Sequence, residues 1–282
     1  MTRLLRLLER LGFEARSLFK PEPVPDLNKL IDSVPGARKK LMADRAKMAR
    51  SVPTTADVSQ GGFKKNNQWT PERRQLHHSI LKNIFTPQAV KAARPPAGRS
   101  PTLHLIGGRS GTGKSWFTSP QGTVDKSKAI YLNDDDIKES IPGYKGWNAG
   151  LVHEESSELG SHAEHVARKL GLNVIVDGTM HNSSSLEKRT NDYKKAGYKV
   201  HGHYMYTPPA KAAARSLGRY VTTGRYVDPK ISLASTDNEA NFDKVKDKFD
   251  DWEIHDNSVD KPTLSPTLYM RKHQAQKLTR VA

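Results

Sequence analysis

The sequence predicts an α/β fold, with a mainly parallel sheet covered by helices on both faces and preceded by a basic helical N-terminal extension. Three observations support this. After residue 101, short apolar segments alternate with longer amphipathic ones, the order that builds parallel sheets. A glycine-rich turn follows the first apolar segment, at the carboxyl end of a strand, where such sheets bind ligands. Basic residues concentrate ahead of this region.

Five strands and six helices are predicted in the second part of the chain. The strands are expected at residues 102–107, 128–132, 172–177, 198–206 and 252–256. The helices are expected at residues 113–119, 135–141, 152–170, 183–196, 208–222 and 238–250. A further helix begins at Thr70-Pro71-Glu72, because threonine is a preferred N-cap and proline fits the first helical position.

Residues 1–68 form a predicted basic extension, followed by a main domain at 69–260 and a C-terminal tail at 261–282. The extension combines an amphipathic helix over 2–19, a proline-stiffened linker, a basic helix over 37–50 and a polar loop. Residues 1–100 hold 20 Lys and Arg against 8 Asp and Glu. Such a segment can bind nucleic acid, an anionic membrane or an acidic partner, or it can simply be solvated.

One motif indicates nucleotide binding. The pattern G-x-x-x-x-G-K-S matches the P-loop, whose backbone N–H groups surround phosphate oxygens. Its lysine reaches the β- and γ-phosphates, and its serine hydroxyl is a ligand of Mg²⁺. The predicted cofactor-binding residues are Gly108, Arg109, Ser110, Gly111, Thr112, Gly113, Lys114 and Ser115.

Acidic residues follow the next two predicted strands. Asp134, Asp135 and Asp136 are adjacent, and neighbouring carboxylates are unfavourable unless a cation or a proton compensates their charge. One of them could accept a proton or lie near Mg²⁺; alternatively, Asp134 or Asp135 could cap the following helix. Spacing does not select among the three. Asp177 ends an apolar segment in the Walker-B manner and is predicted to hold magnesium.

Two arginines, Arg219 and Arg225, flank a Thr-Thr-Gly turn. Phosphoryl transfer requires positive charge on the moving group, so these residues are predicted to form a lid over the phosphates. The alternative is that they favour a helix C-terminus through its dipole. Four histidines at 162, 165, 201 and 203 form two pairs, and each pair supplies too few ligands for a metal; we interpret them as core or surface residues.

Several classes of protein are excluded by composition. The chain has no cysteine, which excludes disulfides and cysteine metal sites. No apolar segment approaches the ~20 residues of a membrane span. The N-terminus lacks the apolar core and cleavage site of a secretory signal. A cytoplasmic location is therefore expected, with association with a virion as the alternative.

Taken together, residues 69–257 resemble the zeta-toxin family of P-loop kinases. The resemblance rests on the segment before the first strand and on five motifs: WTPERRQLHHSILKNIF, GGRSGTGKS, LNDDDIKESIPGY, VIVDGT, GRYVTTGRYVDP and the later HDNS. It implies an ATP-dependent, Mg²⁺-dependent kinase that phosphorylates the sugar 3′-hydroxyl of UDP-N-acetylglucosamine. It also implies a toxin with an antitoxin partner.

The resemblance assigns roles to residues of this chain. Asp135 matches the general base, Lys114 and Ser115 match the P-loop pair, and Arg219 and Arg225 match the phosphate-clamping arginines. Asp177, where the family more often has glutamate, matches an acid near Mg²⁺ and substrate. The residues implied to contact substrate are Glu164, Thr179 and Asp134.

Two other functions remain open on the sequence. A polynucleotide 5′-hydroxyl kinase shares the P-loop and acid design, and a basic N-terminus suits a phosphate backbone. A protein associated with a phage particle or another partner could carry the nucleotide-binding domain as a module. The basic helices of the extension motivate both alternatives.

Overall fold

The computed structural model describes residues 24–48, 53–58, 62–234, 237–259 and 266–272. The helix predicted over residues 2–19 lies outside these ranges. The described strands are β1 Lys64–Lys65, β2 Gln68–Trp69, β3 Thr102–Gly107, β4 Ile130–Asn133, β5 Val174–Asp177, β6 Lys199–Tyr206, β7 Asp251–Asp256 and β8 Thr267–Arg271.

The main sheet has six strands in the order β4-β5-β3-β6-β7-β8. The first five are parallel, and only β8 pairs antiparallel, with β7. The predicted α/β fold with a mainly parallel sheet is therefore confirmed. The edge strand β8 was not predicted, because the sequence assigned residues 261–282 to a tail.

The described helices include two in the extension, of which only the second was predicted, and those that flank the sheet. They are α1 Leu27–Ser33, α2 Ala37–Met48, α3 Pro71–Ile84, α4 Pro87–Ala92, α5 Asp134–Glu139, α6 Ala149–Lys169, α7 Ser183–Lys195, α8 Pro209–Thr223, α9 Pro229–Ala234 and α10 Asp237–Val245. The Thr70 side chain accepts from the Arg73 amide, which confirms the predicted start of α3.

The two faces of the sheet are covered differently. One face packs against α6, α7 and α10 in the largest apolar cluster, which includes Leu105 and Phe242. The opposite face packs against the segment that follows the P-loop, through Phe117 and Val124. On that face, His203 lies 2.8 Å from Glu253 and 2.9 Å from His104, in a buried polar network. Burial, reinforced by neighbouring histidines, lowers the pKa of His104 to about 3.

Two local predictions were wrong. The helix predicted over residues 113–119 is a single 3₁₀ turn, Lys114–Trp116, followed by further turns. Pro120 prevents a helix from continuing past this segment, because a proline disfavours the helical conformation of the residue before it. The polar loop predicted over 51–68 contains the hairpin β1–β2, whose Asn66 and Asn67 have φ of 49° and 60°. Asparagine tolerates this left-handed conformation, which two-residue hairpin turns require.

A buried ion pair joins α3 to α6. Glu155 is completely buried, and its two oxygens accept from the Arg73 guanidinium at 2.6 and 2.8 Å. His77 Nε2 lies 2.6 Å from the same carboxylate. Burial alone would raise the pKa of Glu155, but the hydrogen bonds from His77 and Arg73 outweigh it and lower the pKa from 4.5 to about 2.

Replacing Glu155 with glutamine is expected to reduce the free energy of unfolding by about 3–5 kcal/mol, because Arg73 would remain buried without its partner. In the wild type, the contribution should be complete above pH 4.5 and disappear as the pH falls through about 2. Denaturant unfolding at pH 7 and pH 3 measures both effects. Glu154→Gln, on the exposed face of the same helix, should leave the stability within about 0.5 kcal/mol.

Candidate active site

The P-loop leaves β3 at Gly107 and passes closely beneath α8 and the end of β7. Gly111 has φ of +87°, and a Cβ there would collide with the carbonyl oxygen of Ala212. Gly113 has φ of +86°, and a Cβ there would lie 2.5 Å from Asn257 Nδ2. Only glycine satisfies both the backbone conformation and the close approach. The tight turn expected of the motif is therefore present.

Lys114 lies within this loop. Its ammonium donates to the carbonyl oxygens of Gly108, at 2.9 Å, and Arg109, at 3.2 Å. Burial lowers the pKa of Lys114, whereas the negative charge of Asp177 acts in the opposite direction and Arg219 and Arg225 lower it further. The structure thus brings the predicted P-loop lysine, Walker-B acid and lid arginines into one electrostatic environment.

Two other P-loop side chains, those of Arg109 and Thr112, are held by the protein itself. The buried guanidinium of Arg109 pairs with both carboxylate oxygens of Glu239 and donates to the Ser232 carbonyl at 2.9 Å. Thr112 is completely buried and bonds to the Arg109 carbonyl. These residues can therefore reach a phosphate only through their backbone N–H groups, which is the role that the motif predicts for them.

Asp177 ends β5, and the strand register places it opposite Asn133 of β4 and Ile106 of β3. Tyr131, at 2.8 Å, and Asn133, at 3.2 Å, both donate to its Oδ2 atom. Among the described residues, no hydrogen bond is donated to its other oxygen, Oδ1. Ser115, in turn, has an exposed side chain. A carboxylate and a hydroxyl are hard oxygen donors of the kind that Mg²⁺ takes beside phosphates, so these residues fit the ion.

The acidic run after β4 separates into three environments. Asp135 contacts Lys138, at 3.1 Å, and its Oδ2 atom pairs with Arg225. Asp134 packs against Gly160 and lies 3.4 Å from Ser157 Oγ. Burial raises the pKa of Asp136, and nearby acids add to the effect although Lys126 opposes it. The structure therefore distinguishes Asp135, which the spacing alone did not.

The helix cap next to this run differs from the predicted alternative. Asn133, not Asp134 or Asp135, caps α5, because its side-chain oxygen accepts from the Asp135 amide at 2.8 Å. The Asp135 carboxylate is consequently not used in capping. This leaves it available for the pairing with Arg225 and for contact with a ligand.

The lid segment, residues 219–226, approaches the site from the end of α8. Arg219 Nη2 donates to the Ser110 hydroxyl at 2.9 Å, and its buried Nε atom has no partner among the described residues. Gly224 ends α8 with φ of +78°, and the chain then turns Arg225 toward Asp135. Burial lowers the pKa of both arginines. Desolvated cations at this position are suited to bind phosphate oxygens.

Two residues predicted to contact substrate have other partners here. Both oxygens of Glu164 accept from Arg189, at 2.8 and 2.9 Å. Thr179 Oγ1 lies 3.0 Å from His181, and its carbonyl accepts from Asn238 at 2.7 Å. Their assignment to substrate stays a prediction. The other predicted residues have partners within the site. Arg219 donates to Ser110, and Arg225 pairs with Asp135. The charges of Asp177, Arg219 and Arg225 all act on Lys114.

A cavity of about 540 Å³ opens beside Asp135 and Arg225. Its remaining lining combines aromatic, apolar and amide side chains with backbone of the loop before α6. The principal side chains are Lys138, Tyr144, Trp147, Asn148, Leu151, Tyr226, Asp228, Ile231 and Met48. The Asp135 carboxylate is one of several polar groups that line this cavity.

Sequence reasoning missed three contributors to the site. Asn257 donates to the Thr112 carbonyl at 2.7 Å across 145 positions, and only its place in an HDNS motif pointed to it. Tyr131 orients Asp177, and its position two residues before Asn133 on a strand was an available signal. Met48 had no signal, because it belongs to the extension.

The chain is similar to known proteins in both sequence and fold. Residues 88–264 match the sequence model of the zeta toxin family. Two curated relatives named toxin zeta, from Enterococcus hirae and Streptococcus pyogenes, are 23% identical over 157 residues, or 53% of this chain and 54% of each relative. The chain thus aligns with about half the length of these relatives.

Two solved structures share the fold. One, from the PezAT chromosomal toxin-antitoxin system of Streptococcus pneumoniae, has a TM-score of 0.57 and 16% identity, covering 76% of this chain and 88% of that one. The other, AvrRxo1-ORF1:-ORF2 with ATP, has a TM-score of 0.61 and 17% identity, covering 81% and 82%.

The fold and the glycine-rich turn after β3 define a P-loop protein. Because the family model covers well over half of the sequence, the chain belongs to the zeta toxin family. In the part of the chain that the structure describes, no helix is both long and apolar enough to cross a membrane.

Proposed function

We propose that this protein is a kinase that transfers the γ-phosphoryl group of ATP to a hydroxyl of a sugar nucleotide resembling UDP-N-acetylglucosamine. The observation that carries the proposal is the pairing of Asp135 with Arg225 in the lining of a cavity of about 540 Å³; Arg225 and Asp177 also act on the charge of Lys114. A positioned base and an arginine that stabilises the charge of the transferred group are parts that phosphoryl transfer uses, and the cavity offers space for an acceptor.

In the proposed reaction, Asp135 accepts the proton of the acceptor hydroxyl as its oxygen bonds to the γ-phosphorus. The bond to the β,γ-bridging oxygen breaks, and ADP leaves with that electron pair. Arg225 moves from Asp135 to the γ-phosphoryl oxygens, which frees the carboxylate and places charge where it develops. Lys114 and Arg219 hold the remaining phosphate charge. Ser115 and Asp177 would hold Mg²⁺, which neutralises phosphate charge when bound.

A direct assay tests the identity of the acceptor. The protein is incubated with Mg·ATP and either UDP-N-acetylglucosamine or a 5′-hydroxyl oligonucleotide, and the acceptors are analysed by mass spectrometry. We expect one added phosphate on the sugar nucleotide alone. Phosphate on the oligonucleotide alone would instead favour a polynucleotide kinase and reject the sugar-nucleotide assignment.

Asn257 is expected to support ATP binding without contacting the reacting atoms. Its amide fixes the Thr112 carbonyl, so Asn257→Ala should loosen the P-loop and weaken ATP binding about fivefold to tenfold, consistent with loss of about one hydrogen bond. Calorimetric titration with ATP measures this. Asn173→Ala is the matched control, because that side chain bonds to Lys128 and Thr102 at the opposite end of the sheet. Equal affinities for both variants would contradict the role.

A further inference from the structure

The helix pair α1–α2 belongs to the extension, outside residues 88–264, yet it packs directly on the helix that carries Arg219. Leu30 of α1 lies in an apolar cluster with Ala213, Leu217 and Leu233, and Ala37, at the start of α2, is completely buried. The extension therefore packs on α8, the helix that leads into the lid segment, through a separate apolar cluster.

A buried polar contact fixes α2 in register on α8. The Tyr220 hydroxyl donates to Asp44 Oδ2 at 2.7 Å, and Tyr220 is completely buried. Lys47, at 3.0 Å, and Lys40, at 3.5 Å, surround the same carboxylate. These contacts, led by the Tyr220 hydrogen bond, lower the pKa of Asp44. Because Tyr220 directly follows Arg219, the position of α2 is coupled to the lid segment.

The far end of α2 reaches the cavity beside the base. Met48, the last residue of the helix and half-buried, lines this cavity together with Asp135 and Arg225. Trp147 and Ile231 supply neighbouring apolar surface. A side chain on the extension thus faces the same space as the residues proposed to carry out the chemistry.

We propose that α2 is one wall of the acceptor site and that Met48 is a specificity-determining residue, an inference that rests on the proposed function. The Met48 side chain is a flexible thioether, which adapts to irregular apolar surfaces. It is suited to the flat, partly apolar face of a sugar ring or base, while Asp135 takes the reacting hydroxyl. The acceptor preference of this protein is therefore set partly by residues outside the region that the family model matches.

Substitutions at the wall test this in the full-length protein, because truncation would expose the apolar cluster under α1. Met48→Trp places bulk in the cavity, and Met48→Ala removes contact without adding bulk. Met42→Trp is the matched control, since Met42 lies on the same helix, is 68% exposed and does not line the cavity. Calorimetric titrations with UDP-N-acetylglucosamine and, separately, with ATP give the affinities, and thermal melting confirms folding.

We expect Met48→Trp to weaken binding of UDP-N-acetylglucosamine about tenfold or more and Met48→Ala to weaken it severalfold, with ATP affinity unchanged in both. Met42→Trp should match the wild type. If both folded Met48 variants bind the sugar nucleotide with wild-type affinity, the role of Met48 in the acceptor site is rejected, while the proposed function is unaffected. A wild-type protein that binds ATP but not the sugar nucleotide would overturn the proposed acceptor, and this inference with it.

Discussion

Asp135→Asn is expected to abolish phosphoryl transfer while ATP binding persists. Asparagine preserves the size of the side chain but cannot accept the hydroxyl proton, so the loss should fall on kcat. A positioned base contributes about 10²–10⁴ in rate. Removing its negative charge also releases Arg225 from its ion pair, so ATP affinity should be equal to or higher than in the wild type.

Steady-state kinetics of transfer and calorimetric titration with ATP measure the two effects. Asp136→Asn is the matched comparison, because Asp136 is adjacent to the proposed base and the charges that act on it are those of Lys126, Glu139 and Asp177. We expect it to retain at least about a tenth of wild-type kcat, within the range of an indirect effect of roughly 1 kcal/mol. Near-wild-type turnover by Asp135→Asn, with loss of activity in Asp136→Asn, would reassign the base.

Arg225→Ala is expected to lower kcat about 10³-fold or more, the range in which arginine stabilises charge in phosphoryl transfer. ATP affinity should change far less. The two effects differ because Arg225 pairs with Asp135 in this structure, whereas Lys114 lies within the P-loop, where we propose that the phosphates bind. The arginine is therefore expected to act mainly as the transition state forms.

Arg225→Lys separates charge from geometry. Lysine keeps the positive charge but lacks the planar fork that binds two oxygens at once. We expect kcat of Arg225→Lys to be at least about tenfold higher than kcat of Arg225→Ala. Measurement of kcat and of ATP binding for both variants shows how much of the effect comes from charge and how much from the geometry of the guanidinium group. A kcat for Arg225→Ala within a few-fold of wild type would remove Arg225 from the proposed mechanism.

The fold and much of the site could be predicted because the relevant signals are local. Each parallel strand ends at one edge of the sheet, so Gly108, Asp135 and Asp177 were predicted to lie close together from their place after apolar segments. In the structure, the parallel pairing of β4 with β5 places Asn133 beside Asp177. Short-range patterns thus place side chains correctly when the sheet topology is regular.

The remaining features depend on contacts between distant parts of the chain. Tyr220 and Asp44 are separated by 176 positions, and Asn257 and Thr112 by 145. No local periodicity encodes such pairs. The edge strand β8 was missed for a similar reason. Its extended conformation depends on hydrogen bonding to β7, and its own sequence does not predict a strand. The helix predicted after the P-loop was wrong: a helix is the usual context of the motif, whereas this segment forms a 3₁₀ turn and further turns.

The central claim is that Asp135 activates an acceptor hydroxyl for attack on the γ-phosphorus of ATP. Its most direct test follows label from [γ-³²P]ATP into UDP-N-acetylglucosamine with the wild type and Asp135→Asn side by side. The account predicts labelled sugar nucleotide with the wild type and none above background with the variant. Equal labelling by both proteins, or release of label only as inorganic phosphate by the wild type, would contradict it.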